Sequence, residues 1–348
     1  MKRSEFEVRA GSPKDDEERD AFVREHKNGS FFHLAAWERV VETVFGNPRR
    51  DLLAWNGDRL VGALPLMNTP GFLGGKNLVS VPYGVYGGPL GVDGNVEQAL
   101  LAEATGIADR EQVGHLELRY AWNPGSELAG STLYNTFIKD LPEKPEDVLA
   151  AMPKKARAEA RKARKNHDLE LSTGVWYVED LYRMFVRNKH GLGSPSLPKR
   201  MFETMIREFN GSVQIHLVRK ERDPLAAVMT FAYGDTLIAY YSGTALNADR
   251  NYSASNFMYL ALQEWAIEQG FRVFDFGRSR VGSGAFKFKV HQGFEPTPLE
   301  YRYHLVRHRG TPTFTPSNPK THALQAIWRQ LPLWMVTRLS DVASPYLP

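Results

Sequence analysis

The sequence predicts an α/β (α+β) protein built by tandem duplication, each copy a mixed sheet flanked by helices. Three observations carry that expectation. One order of elements (helix, β-hairpin, strand, loop, long helix, short strand) reads twice along the 348 residues. The copies are spaced by about 160 residues, far outside solenoid periods. A proline-bearing acidic stretch, DLPEKPEDVLAAM, separates them and starts a helix. The expected domains are residues 1–145, residues 146–310, and a tail over 311–348.

In the first copy, HLAAWERVVETVF carries Leu34, Trp37, Val40, Val41 and Val44 at helical spacing. DLLAW, the turn Asn56-Gly57-Asp58 and RLVGALPLM read as a hairpin. NLVSVP is a strand, YGVYGGPLG a glycine-rich loop, VEQALLAEATGIADRE a helix and HLELR a short strand. In the second copy LYRMFVRNKH and PKRMFETMIREF are helical. VQIHLVRK, a turn at Glu221-Arg222-Asp223 and LAAVMTFAY form the hairpin, and TLIAYYSG is the next strand. TALNADRNYSAS is a polar loop, NFMYLALQEWAIEQG a helix stopped at Gly270, and FRVFDFGR the strand after it. The opening MKRSEFEVRAGSPKDDEERD is polar, without the apolar core of a secretory signal. No stretch approaches the roughly 20 apolar residues of a membrane span. A cytoplasmic protein is expected, one that can sit peripherally at the inner face of the membrane.

The net charge of +4 is mild over this length, and DNA is not an expected partner. The absence of cysteine excludes disulfides, thiolate metal sites and a cysteine nucleophile. The ten histidines form no H-E-x-x-H, and no metal is expected. GFLGGK is too short for a phosphate loop, YGVYGGPLG lacks the dinucleotide register, and no serine sits in a G-x-S-x-G elbow. Asp275-Phe276-Gly277 spells the metal-binding tripeptide of protein kinases, but the glycines follow it and no His-Arg-Asp precedes it.

Basic charge is concentrated in PKKARAEARKARKNH. On a helix, Lys154, Arg157, Arg161, Arg164 and Lys165 gather on one side, widened by Lys155 and Lys162. Ala156, Ala160 and Ala163 line the other. The helix can therefore pack through alanines and present either a solvated charged face or a binding face for phosphates. TPTFTPSNPK is a proline-rich linker. ALQAIWRQLPLWMVTRL then repeats apolar residues around Pro332, so the tail either docks on the second domain or lies in a membrane interface.

Arg250 to Ser255, between a strand and a long helix, resembles the R/Q-x-x-G-x-G/A pyrophosphate loop of GNAT acetyltransferases. Ser253 and Ser255 stand where small residues belong, with Ser255 also a candidate N-cap. Two GNAT-like domains in tandem, with a basic helix opening the second, resemble the Fem family of aminoacyl-transferases over roughly residues 30–305. PKKARAEARKARKN, SASNFMYLALQEWAIEQGFRVFDFGRSR and SGAFKFKVHQGFEPTPLEY carry the likeness. LPLMNT…LVSVPYGVYGGPLG and IWRQLPLWMV are similar to FemAB-like proteins associated with exosortase/PEP-CTERM exopolysaccharide systems. The chain lacks the loop glycines of ordinary GNAT proteins and the coiled-coil arm of some Fem proteins.

The resemblance implies amide formation without a covalent enzyme intermediate, on an amine-bearing cell-envelope or exopolysaccharide precursor. The co-substrate is acyl-CoA or aminoacyl-tRNA, and no tightly bound cofactor is expected. The acceptor is a small-molecule, glycan or lipid-linked precursor. The alternative is a catalytically inactive tandem-GNAT module that binds such a precursor. Direct transfer requires positioning, removal of an amine proton and stabilisation of an oxyanion. Lys289 matches the F-K of the Fem pattern and is assigned the oxyanion. Lys287 is its backup, on the same face if the stretch is extended. Arg278 and Arg280 would hold a phosphate or carboxylate, and Gly282 and Gly284 would let the loop close. Asp275 is either a base or a partner of Arg278. Tyr240 and Tyr241 lie on adjacent sheet faces, and Tyr241 is assigned as proton carrier. Arg250, Ser253, Ser255 and Asn256 form the candidate donor loop, with Arg157 and Arg161 on the basic helix. Arg119 and Tyr83 mark the equivalent cleft of the first copy.

Overall fold

The computed structural model describes residues 6–71, 74–122, 124–125, 127–166, 168–311 and 319–347. Part of GFLGGK and most of the proline-rich linker lie outside the described residues. Two compact units divide the chain. The first holds the residues up to Leu133, the segment from Leu299 and the last residues from Pro345. The second holds Tyr134–Pro298 and the tail as far as Ser344. The acidic linker thus lies inside the second unit, and the chain returns to the first after residue 298.

In the first unit the polar N-terminus is structured: β1 (Glu7–Ala10) pairs antiparallel with β2 (Leu52–Asn56), and α1 (Asp16–Glu25) follows β1. Both were illegible because their faces are mostly polar. Their anchor is Arg19, 1 % exposed, bonded to Glu38 and Asp51. α2 (Ala35–Phe45) buries Trp37, Val40, Val41 and Val44 and stops at Gly46 in the left-handed region. β2 turns at Gly57 into β3 (Arg59–Leu64). RLVGALPLM is not one strand. After Pro65 and Leu66, β4 (Met67–Pro70) joins a different sheet, as a proline that cannot donate to a ladder allows. β5 (Lys76–Val79) follows, then β6 (Leu90–Gly91) beside β3, then α3 (Gly94–Arg110), capped by Asp93. β7 (His115–Tyr120) lies parallel to β5, and β8 (Ala129–Ser131) ends this part of the chain.

The second unit opens with β9 (Tyr134–Thr136), β10 (Ile138–Asp140), α4 (Val148–Ala151) and α5 (Lys154–Asn166). Ala156, Ala160 and Ala163 are fully buried, so α5 does pack through its alanines. β11 (Leu169–Thr173), α6 (Val178–Leu192) and α7 (Lys199–Glu208) precede β12 (Val213–Lys220), β13 (Asp223–Tyr233) and β14 (Thr236–Thr244). The expected polar loop then contains α8 (Ala248–Tyr252) and the start of α9 (Ala254–Glu268). β15 (Val273–Asp275) and β16 (Ser279–Arg280) lead to α10 (Gly284–His291) and β17 (Thr297–Pro298). The main sheet runs β10-β15-β14-β13-β12-β11, antiparallel throughout except for β14 and β15, which the crossover helix α9 joins.

The final strand, β18 (Glu300–Leu305), belongs to the first unit, antiparallel to both β7 and β8. Each unit therefore has a parallel pair joined by a long helix, with an antiparallel strand beside the second member. In the first unit that strand is β18, from beyond the second unit; in the second it is β10, from just after the first unit's main segment. Finally α11 (Pro319–Gln330) and α12 (Leu333–Ala343), split at Pro332, dock on the α6 region. Arg329 donates to the carbonyls of Gly191 and Leu192, and the Ser196 amide to Ser340 Oγ. Leu324 and Trp334 stay exposed. Among the described residues no helix is long and apolar enough to cross a membrane.

Candidate active site

The second unit's sheet splits between its two parallel strands. β14 and β15 pair only from Thr236–Val273 to Ile238–Asp275, after which β14 continues to Thr244. The chain beyond β15 is drawn away by two bonds. The Phe276 amide donates to the Phe137 carbonyl, and the Gly277 amide to Asp275 Oδ1 at 2.6 Å. Gly277 has φ +63°, which a side chain would strain. On the other flank of β14 the register with β13 slips between Met229 and Thr230, leaving Tyr240 as an extra residue. The bulge overturns the expectation of opposite faces. The Tyr240 and Tyr241 rings stand edge to face, 4.6 Å between centroids. Tyr240 lies against Gly277, and Tyr241 is buried against Phe185, Phe202 and Phe231.

Lys289 reaches the point where the strands part. Its Nζ donates to the carbonyls of Gly277 at 3.0 Å and Arg278 at 3.2 Å, over the rings of Phe137 and Phe276. Burial lowers its pKa to about 7, against the opposing charge of Asp275. It gets there from a helix. Ser283 caps α10 by accepting the Phe286 amide, so Phe-Lys-Phe-Lys is not extended. At helical spacing, residues two apart point to different sides; Lys289 is buried and Lys287 is exposed. Lys287 cannot be its backup. Gly284 is the first residue of α10 rather than part of a loop, whereas Gly282 keeps a positive φ of 76°. Asp275 serves the Gly277 amide and faces Lys289 electrostatically. Arg278 places its guanidinium over Tyr134, and Arg280 lies in β16, paired with Tyr134 of β9.

Two residues were missed. Asn188 of α6 accepts the Thr244 amide at 2.8 Å and donates to its carbonyl at 3.0 Å, standing in for a strand at the end of β14. Lys189, beside it, lies over the Phe185 ring. No local pattern marks them, because RNKH reads as an ordinary polar helix end.

The expected donor loop is built differently from the expectation. Ser253, not Ser255, occupies the N-cap of α9. It does so in the left-handed region, where a glycine-like residue fits, and makes no side-chain cap bond. The Ser255 amide and hydroxyl both donate to the Asp249 carboxylate, at 2.7 and 2.9 Å. A carboxylate thus already takes the helix N-terminus that a pyrophosphate would use. Arg250 is exposed on α8. Asn256 donates to Glu159 of α5 and accepts from Gln292. On α5, Arg157 donates to the Ala150 carbonyl and Arg161 is exposed.

In the first unit, Arg119 is fully engaged. It donates to Glu117 and to the carbonyls of Val81 and Gly84, holding the loop on which Tyr83 stacks against Phe45. Beside Arg119 and the His115 ring, Glu117 is held down to about 2. These contacts give Arg119 and Tyr83 a loop-locking role, in place of the expected equivalent cleft.

Residues 150–290 match the acetyltransferase (GNAT) domain family. The chain is similar in fold to a crystal structure of FemX, at 14 % identity and TM-score 0.65, over 86 % of this chain and 98 % of that one. It is similar to a tandem GNAT protein from the clavulanic acid biosynthesis pathway, at 13 % identity and TM-score 0.54, over 88 % and 100 %. It is also similar to the C-terminal domain of a putative lysylphosphatidylglycerol synthetase from Agrobacterium fabrum, at 13 % identity and TM-score 0.52, over 83 % and 91 %. No curated protein sequence matches the chain. The fold is a tandem GNAT-like α/β architecture, and residues 150–290 are the part that matches the acetyltransferase (GNAT) domain family.

Proposed function

With a GNAT-type transferase domain over residues 150–290 as premise, we propose that the second unit forms amides by direct acyl or aminoacyl transfer onto an amine-bearing cell-envelope or exopolysaccharide precursor. The observation that carries the reading is Lys289, buried where β14 and β15 part. In the reaction the acceptor nitrogen bonds the acyl carbon, whose oxygen takes up negative charge. The ester or thioester bond then breaks, and the proton lost by the amine passes to the departing oxygen or sulfur. An ammonium has three N–H groups. Two from Lys289 hold the Gly277 and Arg278 carbonyls, and the third serves the oxyanion. Tyr240 and Tyr241 line the split as candidates for moving the amine proton. A transfer assay comparing wild type with Lys289→Met tests the assignment.

Asp249 bears on the donor. A bound CoA pyrophosphate would meet its carboxylate at the α9 N-terminus, and like charges at that range repel. Titration calorimetry with acetyl-CoA is expected to show no saturable binding to wild type and measurable binding to Asp249→Gly. Tight binding to wild type would return the donor to CoA. An aminoacyl-tRNA donor needs no pyrophosphate pocket and suits the exposed cations of α5, where Lys154, Lys155, Arg161, Lys162 and Lys165 have no carboxylate partner among the described residues. Neutralising Arg161 and Lys165 is expected to reduce the slope of log K against log salt for charged tRNA by about 1–2. An unchanged slope removes α5 from the interface.

A further inference from the structure

α10 carries Lys289 into the split, yet little in its own sequence holds it there. Of its eight residues only Lys289 is buried, and a buried ammonium favours return to water. Phe286 and Phe288 are half-buried, against Phe137 and Tyr259. A helix this short is marginal without tertiary support. At its C-terminal end that support comes from α5. Glu159, the one acidic residue of that cationic helix, accepts the Asn256 side-chain amide at 3.0 Å and His291 Nε2 at 3.2 Å, both on Oε2. A carboxylate can only accept, so Nε2 is the donor. Asn256 Oδ1 in turn accepts from Gln292 Nε2 at 2.6 Å. His291 is the last residue of α10 and Gln292 its C-cap. One carboxylate thus grips both, the first directly and the second through α9. Gly293, next in the chain, lies against Pro153 just before α5, where a Cβ would come within 2.7 Å of the proline ring. The Phe294 amide then closes on the Lys289 carbonyl.

We propose that Glu159 is a positioning residue for the transfer: it latches the C-terminal end of α10 and so keeps the Lys289 ammonium where β14 and β15 part. The inference deepens the transferase reading of the same cleft and rests on it for the word transfer. The side chains of Glu159 and His291 are 49 % and 32 % exposed, and so exposed a pair adds little to stability. Its effect falls instead on where the end of α10 sits. Lys289 and Gln292 are three residues apart on one helical turn, so a shift of the latched end is carried directly to the lysine.

The test uses the full chain with 13C-labelled lysines, the Lys289 resonance being assigned through Lys289→Met. Burial lowers the pKa of the native lysine to about 7. In Glu159→Ala the end of α10 is released and water reaches the ammonium. The midpoint of the Lys289 titration is then expected to move up, toward that of an ordinary lysine. The sign separates positioning from charge, because deleting a carboxylate that acts only electrostatically would move the midpoint down. Glu159→Gln keeps an acceptor oxygen for Asn256 and His291 and is expected to restore the wild-type midpoint. In a transfer assay the kcat of Glu159→Ala is expected to fall by up to about 10²-fold with KM little changed, the cost of a displaced catalytic group. A Lys289 midpoint in Glu159→Ala equal to wild type or below it overturns the proposal, and so does a Glu159→Gln midpoint as high as that of Glu159→Ala. Should Glu159→Ala fail to fold, His291→Ala, which removes one of the two contacts, replaces it. A smaller upward shift is then expected, and an unmoved midpoint overturns the latch. A lysine that follows Glu159 in a protein with no turnover on any donor sinks the transferase reading and leaves the latch standing. Turnover that depends on Lys289, with the lysine unmoved in Glu159→Ala, does the reverse.

Discussion

Replacing Lys289 by methionine is expected to lower acyl transfer by about 10²–10⁴-fold, the span over which single oxyanion donors and acid–base groups act. Methionine keeps the apolar stem against Phe137 and Phe276 and removes only the amine. A GNAT-like shell that binds acceptor but never turns over would leave the rate at background in wild type and variant alike. An unchanged wild-type rate in Lys289→Met removes the lysine from the chemistry. The pH profile separates its two conceivable roles. As an oxyanion donor Lys289 must be protonated, so kcat/KM falls as pH rises through about 7. In Lys289→Arg, whose guanidinium stays charged, the residual activity lacks that limb. A rate that climbs through the same pH would make the amine a base for the acceptor's proton.

The same burial leaves a mark on stability. An unfolded lysine titrates near its ordinary value of 10.5, and burial lowers native Lys289 to about 7. Between those values the unfolded chain keeps a proton that the native lysine has released. The unfolded state then binds more protons, and the part of stability due to Lys289 rises with pH across this window. The slope is at most about 1.4 kcal/mol per pH unit. Urea midpoints of wild type and Lys289→Met, measured from pH 7 to 10, should converge or cross accordingly. Parallel curves would mean that the lysine titrates normally.

The sequence showed what repeats locally and hid what depends on distant neighbours. The hairpins were legible because alternating apolar residues flank real turns: Gly57 has the positive φ its turn needs, and so does Glu221. The long helices α3 and α9 were legible from length and apolar spacing. Phe-Lys-Phe-Lys misled because alternation over four residues is too short to separate strand from helix. Ser283 and the burial of Lys289 decide the matter only once Gly277 and Arg278 are in place. Asp249 filling the α9 N-terminus needed the left-handed Ser253, which brings the carboxylate back onto the Ser255 amide. The exchange of β10 and β18 was illegible in principle, because either strand taken alone suits the sheet of the domain next to it in sequence.

That exchange yields the other large expected effect: a chain ending at residue 145 does not fold as a domain. It lacks β18, which lies between β7 and β8 and supplies Tyr301 and Tyr303, while the adjoining Leu299 is fully buried. Tyr301 also donates its hydroxyl to the Val85 carbonyl and lies beneath Arg119, the residue that holds the Val81–Gly84 loop. Each such side chain contributes about 1.5–3 kcal/mol by burial, so three of them rival the roughly 5–15 kcal/mol of a whole domain. The uncovered edge of β7 carries Leu116, Leu118 and Tyr120 and invites pairing between chains. Size-exclusion chromatography should therefore find residues 1–145 aggregated. Grafting 299–311 behind Leu133 through a flexible linker should restore a monomer with cooperative unfolding. A monomeric, cooperative 1–145 fragment would refute the exchange. The reciprocal fragment, 146–298, loses more than a strand. Without β9 and β10 it lacks Tyr134 under Arg278. It also lacks Phe137, whose carbonyl draws Phe276 away from β14 and whose ring supports Lys289. The residues that complete the second sheet are thus the residues that part β15 from β14, and transfer activity should be absent from that fragment even where it stays soluble.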